Sequence, residues 1–313
     1  MTSKASKKYK PLRYTPYKQR TRDFQYRGIL RTLLAEGIYT RNQFQKKGTY
    51  SSVTLPKMVF DLRNGVPLIT ERNIPFWRKP IAELIAFING ARTLDQLRQY
   101  GGEKSWASWW DTWVTQEKCA RFGLHTGDLG PGSYGAAFHD FPMPDGSTFN
   151  QWEHLIAQIR DYPWLRTHKI TTWIPFYTLQ HNGLQRKVVV APCHGDVQVT
   201  ILNNRLYLQM DQRSCDAPVG LVSNLIQYTA LALMLGQVTG YTPRTYVHNV
   251  RDGQIYVNQV RRVRELIRRR PRPFPTLVIT DPTITDLFAF RPEHFRLSDY
   301  DPHPAMNDIP VTE

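Results

Sequence analysis

Cysteine is scarce in this chain. There are three in 313 residues, Cys119, Cys193 and Cys215. Three thiols build no disulfide framework, and their spacing suits no metal site. A reducing compartment, the cytoplasm, is therefore expected, with no bound metal. The amino terminus has no apolar segment of the kind a secretory leader needs. No long uninterrupted hydrophobic run occurs either. The most apolar stretch, Leu221 to Val238, is broken by Ser223, Asn224, Gln227 and Gln237, which fits a buried core helix and argues against a membrane span. Acid is missing from the first 22 residues and is in deficit overall, with 26 Asp and Glu against 41 Lys and Arg, a formal charge of +15. Such an excess implies an anionic partner without choosing among a substrate phosphate, nucleic acid and an acidic protein. Internal repeats and low-complexity linkers are absent after residue 22.

What is present reads as a globular enzyme-sized chain. Hydrophobic residues make up 41% and aromatics 12%, enough for a sizeable core. Residues 1–22 read as a basic, flexible arm: eight cations alternate with Tyr9, Tyr14 and Tyr17. A solvated tail is the simpler account, and a nucleic-acid contact through charge and stacking the sharper, less favoured one. Residues 23–313 read as one catalytic domain. Helical spacing marks Phe24 to Glu36, Ile81 to Asn89, Gln151 to Ile159 and Gly220 to Gly236. Strand character marks Ser52 to Leu62, Ile170 to Phe176, Val188 to Val190, and the alternating pair Val197–Ile201 and Leu206–Met210 joined at Asn203-Asn204. Strands and helices are mixed without regular βαβ alternation, which predicts an α+β fold.

Several stretches carry chemistry. Asp128 to Gly135, DLGPGSYG, is a glycine-rich loop but not a phosphate-binding P-loop, since no Gly-Lys-Ser/Thr follows. Ser105 to Val114 holds four tryptophans, 106, 109, 110 and 113, either core packing or a wall for a flat ligand. Glu83 falls among apolar neighbours on its helix and is expected to be part-buried, with a raised pKa suited to proton transfer near neutrality. The segment Val188 to Asp216 contains Pro-Cys-His, a hairpin, and Gln-Arg-Ser-Cys-Asp. It pairs one cysteine, Cys193, with an arginine, Arg213, able to favour a thiolate and to grip a phosphate.

In order along the chain stand LRNGVPLIT, a helix with a central glutamate, WWDTW, GDLGPGSYG, PCH, QRSCD, a G-L-x-x-N helix, H-x-x-x-D-x-x-I-Y, PRPFP and YDPHPAM. This series, covering nearly everything from Phe24 on, resembles the thymidylate synthases. The resemblance implies a large mixed sheet packed against the same sheet of a second subunit. It implies two ligands, a pyrimidine nucleoside 5′-monophosphate and 5,10-methylenetetrahydrofolate. It also assigns roles. Cys193 matches the nucleophile that adds to carbon 6 of the ring, making carbon 5 reactive. Glu83 and Tyr134 match proton-handling positions, and Asn224 the amide that reads a uracil edge. Arg213 and Ser214 match phosphate contacts, with Lys46 in the phosphate loop and Arg166 and Lys169 as cations donated across the dimer. His194 and Gln212 match flanking residues, while Gln254 and Tyr256 stand where the sugar is read. Trp110, Trp113, Asp216, Gly220 and Ser223 fall at folate positions.

Four departures from the family pattern stand out. Lys46-Lys47-Gly48 replaces Arg-Thr-Gly. Arg166-Thr167-His168-Lys169 replaces an arginine pair. Gln254 replaces a histidine, which affects reading of the 3′ hydroxyl. Ser223 replaces a phenylalanine that packs on the folate. The chain also ends in Pro310-Val311-Thr312-Glu313 instead of apolar residues. Loss of the phenylalanine and the added carboxylate loosen and wet a place where hydride transfer needs dry stacking. These departures favour hydroxymethylation of dUMP, with reductive methylation to dTMP the alternative, which Trp110 favours. A CMP or dCMP hydroxymethylase and an inactive nucleic-acid-binding homologue are further alternatives. Modified bases of this kind belong to the DNA of some bacteriophages, which would make the setting a host cytoplasm.

Overall fold

The computed structural model describes residues 9–41, 47–101 and 107–311. Lys46, Trp106 and Glu313, singled out above, lie outside them. The first helix, α1 (Gln25–Glu36), buries Tyr26, Ile29, Leu30 and Leu33 on one face, as the spacing requires. Strands β1 (Ile38–Thr40), β2 (Thr49–Ser52) and β3 (Met58–Asp61) follow, then α2 (Arg78–Ile88). Helix α2 is buried all round from Pro80 to Ile88 and carries Glu83 into the interior. Helix α3 (Tyr134–His139) starts inside what the sequence reading treated as loop, so Tyr134 projects from its first turn. Helix α4 (Gln151–Asp161) leads to a two-residue strand, β4 (Lys169–Ile170).

The anticipated strand from Ile170 to Phe176 stops at Ile170. Pro175 has no N–H to give to a ladder and instead opens a short helical turn, Pro175–Thr178. Val188 to Val190 forms no strand either. Val188 and Val189 are buried because the segment packs under the glycine loop, Val189 N donating to Leu129 O at 3.0 Å. The hairpin is as expected: β5 (Asp196–Leu202) and β6 (Arg205–Gln212) pair antiparallel through Asn203 and Asn204, both at positive φ, the geometry asparagine tolerates best after glycine. Then come β7 (Cys215–Asp216), α5 (Gly220–Thr239), β8 (Thr242–Val250), β9 (Gly253–Tyr256), α6 (Val260–Leu266), β10 (Thr276–Ile279) and β11 (Phe295–Ser298).

Two sheets organise these elements. One runs β3-β8-β6-β5-β4 and the other β1-β2-β9-β7, while β10 and β11 make a ribbon. In the five-stranded sheet β8 is parallel to β6 and the other pairings are antiparallel. The fold is thus mixed α+β. Its inner face carries Phe60, Val197, Val199, Leu208, Met210, Tyr246 and His248, all buried. Helix α5 is long and apolar enough to cross a membrane, yet 94% of that window is buried within the protein. It is the core helix.

The stretch from Tyr9 to Arg22 corrects the expectation of a solvated arm. Tyr14 Oη donates to Leu277 O at 2.6 Å, and Arg20, 7% exposed, donates to Thr15 O, Phe274 O and Thr276 Oγ1. The Arg20 cation is thus spent on groups of the domain, which a count of charges along the sequence does not reveal.

Candidate active site

Cys193 sits half-buried in the bend before β5, and Arg213 in the turn after β6. The hairpin lays these two segments side by side, and backbone joins them: Arg213 N donates to Cys193 O at 2.8 Å. The guanidinium is tied to the same loop, Nε to Pro192 O at 2.7 Å and Nη2 to Ala191 O at 2.8 Å. Its Nη2 lies 3.7 Å from Cys193 Sγ, and its face covers the Trp173 ring at 5.4 Å. The expectation that Arg213 lowers the thiol pKa is half right. Burial pushes the Cys193 thiol up, and the Arg213 charge then pulls it down without reversing the net rise. Cys193 is thus a thiol beside a cation.

Around this pair stand flat rings. Tyr134 Oη accepts from Cys193 N at 2.7 Å. Its ring stacks on Phe87 at 4.9 Å and on His194 at 4.5 Å. His194 Nδ1 meets Tyr228 Oη at 2.6 Å, and burial drives its pKa down to about 3, so it is neutral. Cys119 and Cys215 are both buried, with burial pushing their thiols up, which suits inert structural positions.

A polar chain runs through the core beneath these rings. Glu83, 9% exposed, accepts from Trp110 Nε1 at 2.8 Å and from Gln227 Nε2 at 2.7 Å. Burial raises its pKa to about 7, and those two hydrogen bonds restrain the rise. Gln227 Oε1 accepts from Asn224 Nδ2 at 2.8 Å, and Asn224 Oδ1 accepts from Gln212 Nε2 at 2.9 Å. His248 Nε2 donates to Gln212 Oε1 at 2.9 Å, and Tyr246 Oη to His248 Nδ1 at 2.7 Å. The buried amide of Asn224 is therefore aimed, not free to turn.

A second acidic group lies at the amino end of α5. Asp216 is held by Gln259 Nε2 through both carboxylate oxygens, at 3.2 and 3.0 Å, and burial raises its pKa to about 6. Gln259 Nε2 also donates to Pro310 O at 3.0 Å, drawing the carboxy-terminal tail over this corner. A Cβ added at Gly220 would lie 3.9 Å from both Asn224 Oδ1 and Asp216 Cβ, so Gly220 borders both groups. Ser223 precedes Asn224 on α5 and is half-buried. This corner thus holds a buried carboxyl able to accept or, when protonated, to donate a hydrogen bond.

Of the residues expected at the site, the structure links Cys193, His194, Arg213 and Tyr134 in one cluster, and Glu83, Trp110, Asn224 and Gln212 in the adjoining chain. Ser214 is tied in through its carbonyl, which accepts from Gln212 Nε2 at 3.0 Å, and its Oγ faces Gln254 Nε2 at 3.4 Å. Tyr256 is buried two residues beyond Gln254, the β9 partner of Asp216. Trp113 is partly buried and carries the Lys118 ammonium over its ring at 4.7 Å, while Trp109 is 39% exposed, so the tryptophan cluster divides between core and surface. Arg166 and Lys169 do not join the cluster. They line a cavity of about 560 Å³ on the outer side of β5 and β6, with Asp196, Gln198, Gln209 and Asp211. Gln227, Gln259, Trp173 and Tyr228 were missed. Gln227 drew notice only as polarity within an apolar helix, although its place one turn after Asn224 puts both on the same face.

A family model described as thymidylate synthase matches residues 24–311, nearly the whole chain. The mixed α+β architecture agrees with it, and members of that family use methylenetetrahydrofolate as co-substrate. The chain belongs to the thymidylate synthase family, and so to the one-carbon transferases that act, with a folate, at carbon 5 of dUMP.

Proposed function

We propose that this enzyme hydroxymethylates dUMP to 5-hydroxymethyl-dUMP in the cytoplasm, with residues 23–313 as one catalytic unit. Cys193 adds through sulfur to carbon 6 of the ring, and the electron pair of the 5,6 double bond becomes an enolate. Asn224 accepts from N3–H and donates to the oxygen on carbon 4, where that negative charge gathers. Carbon 5 then bonds to the one-carbon unit. With Tyr134 assisting, the proton on carbon 5 leaves, the folate departs as tetrahydrofolate, and an exocyclic methylene remains. Water adds its hydroxyl to that methylene, the electron pair passing into the carbon 4 enolate. Collapse of the enolate re-forms the 5,6 double bond and breaks the bond from carbon 6 to Cys193, and the proton from water returns to the released thiolate. Glu83, held near neutral pKa, is suited to carry protons at these steps.

The observation that carries the choice of water over hydride is Ser223. A half-buried hydroxyl stands beside the reading amide where the family has a phenylalanine ring on the folate, so the methylene is met by a wetter surface. Trp110 supports the second reading, reductive methylation to dTMP. Its indole is 9% exposed and fixed edge-on against Phe87 and Tyr134 at 5.9 and 6.4 Å, a wall against water. Asp216, Gly220 and Trp113 would complete the folate side, and Arg213, Ser214, His194, Gln254 and Tyr256 the nucleotide side. Arg166 and Lys169, remote from Cys193, fit a homodimer in which the five-stranded sheet packs on its copy and lends these cations to the partner's phosphate.

The test is direct. The protein is incubated with methylenetetrahydrofolate and dUMP, dCMP, UMP or CMP, the product is weighed, and dihydrofolate absorbance is followed. Hydroxymethyl-dUMP without dihydrofolate is expected, and Ser223→Phe is expected to shift part of the flux to dTMP and dihydrofolate. A methyl product from the unaltered enzyme refutes the hydroxymethylase reading. Strongly salt-dependent DNA binding without any turnover would favour the nucleic-acid-binding alternative instead.

A further inference from the structure

Gln227 is completely buried in the middle of α5, three residues after Asn224. It stands between two groups with separate tasks: its Nε2 donates to Glu83 Oε2 at 2.7 Å and its Oε1 accepts from Asn224 Nδ2 at 2.8 Å. An ionised carboxylate only accepts, whereas an amide both donates and accepts. Glu83 therefore obliges Gln227 to turn nitrogen toward it and oxygen toward Asn224. Asn224 must then turn nitrogen toward Gln227 and oxygen toward Gln212. Gln212 in turn presents oxygen to His248, which must carry its proton on Nε2. Three amides and one imidazole have a single consistent orientation, and it is set from the carboxylate end. Asn224 keeps one N–H and one lone pair for a base, in the order that suits the carbonyl and N3–H of uracil. Turned over, the same amide would suit the amino group and bare N3 of cytosine.

We infer that Gln227 is a positioning residue that couples the protonation state of Glu83 to the direction in which Asn224 presents its amide, so that the proton-handling carboxyl also enforces uracil over cytosine. The inference rests on the reading of Asn224 as the base-contacting amide. The other titratable groups facing Glu83 are the phenols of Tyr134 on α3 and Tyr228 on α5, both pushed well above their ordinary range by burial and so neutral. Among the described residues, no charged side chain competes with Gln227 for control of this carboxyl.

Gln227→Met keeps length and removes both hydrogen bonds. The Glu83 midpoint, read from the infrared carbonyl band that is absent in Glu83→Gln, is expected to rise by about one to two pH units, the worth of a hydrogen bond to a charged acceptor. The dUMP to dCMP ratio of kcat/KM is expected to fall about tenfold as Asn224 loses one of its two anchors. Gln237→Met, a control on the same helix bonded to the carbonyls of Asp281 and Ile284, is expected to leave the midpoint in place. An unchanged midpoint in Gln227→Met overturns the coupling whether or not the protein turns over any nucleotide. Absence of turnover in the unaltered protein overturns the proposed function alone. Should Gln227→Met fail to fold, the unaltered protein with 15N-labelled Asn and Gln decides. The side-chain amide signals of Gln227 and Asn224 are expected to titrate with the Glu83 midpoint, and separate midpoints refute the idea.

Discussion

Ionising Glu83 works against the folded state, and the size of that effect can be worked out. The carboxyl moves from an ordinary 4.5 to about 7 because it is buried against α5 with no charged partner, only an indole N–H and an amide to restrain the shift. A carboxyl whose pKa rises on folding supports the fold while protonated. That support is fully present below about pH 4.5 and is lost as pH climbs through about 7. At 1.36 kcal/mol per unit the full span is about 3 kcal/mol, of which roughly 2.5 falls between pH 5 and 8. Glu83→Gln cannot titrate. Its amide suits two incoming donors poorly, so the variant starts from a deficit, but that deficit does not depend on pH. Urea unfolding of both proteins at pH 5, 6, 7 and 8, at one protein concentration, is therefore expected to show the variant gaining on the wild type by about 2.5 kcal/mol across the range. Glu71 and Asp216, also raised by burial to about 7 and about 6, tilt both curves equally and drop out of the comparison. A gap that stays constant with pH would refute the claim that Glu83 is buried and titrates near neutrality.

Two further outcomes follow from the site. Cys193→Ala is expected to abolish turnover on every pyrimidine nucleotide while leaving nucleotide binding measurable by calorimetry; substantial residual turnover would remove the covalent route. Asn224→Asp replaces the donating end of the amide with an acceptor and is expected to raise kcat/KM for dCMP relative to dUMP by about a hundredfold, which competition assays with both nucleotides would read.

The sequence carries the helices well because their faces are long and periodic. Helix α5 is the limit of that approach. It is buried on every side, so periodicity marks its existence but not which polar residues face each other across it. Short strands fared worse. Val188–Val190 has β-branched composition, yet its backbone is claimed by the glycine loop above it, and the earlier candidate stops at Ile170, with Pro175 opening a helical turn instead. In the site, Cys193, Arg213, Glu83 and Asn224 were legible because each belongs to a contiguous motif. Gln227 and Gln259 were not, since their roles arise only when residues 144 and 43 positions apart meet. The thiol went partly astray for a related reason: the nearby arginine is visible in the sequence, the burial that outweighs it is not.

One amide, that of Gln259, grips both the Asp216 carboxylate and the carbonyl of Pro310. Mechanically, the tail and the Asp216 carboxyl hang from a single hook. Tension applied at Pro310 reaches Asp216 through the side-chain amide of Gln259 alone. An affinity tag or a surface tether attached there would pull on the pocket itself, and activity measured on such a preparation would report the tether as much as the enzyme.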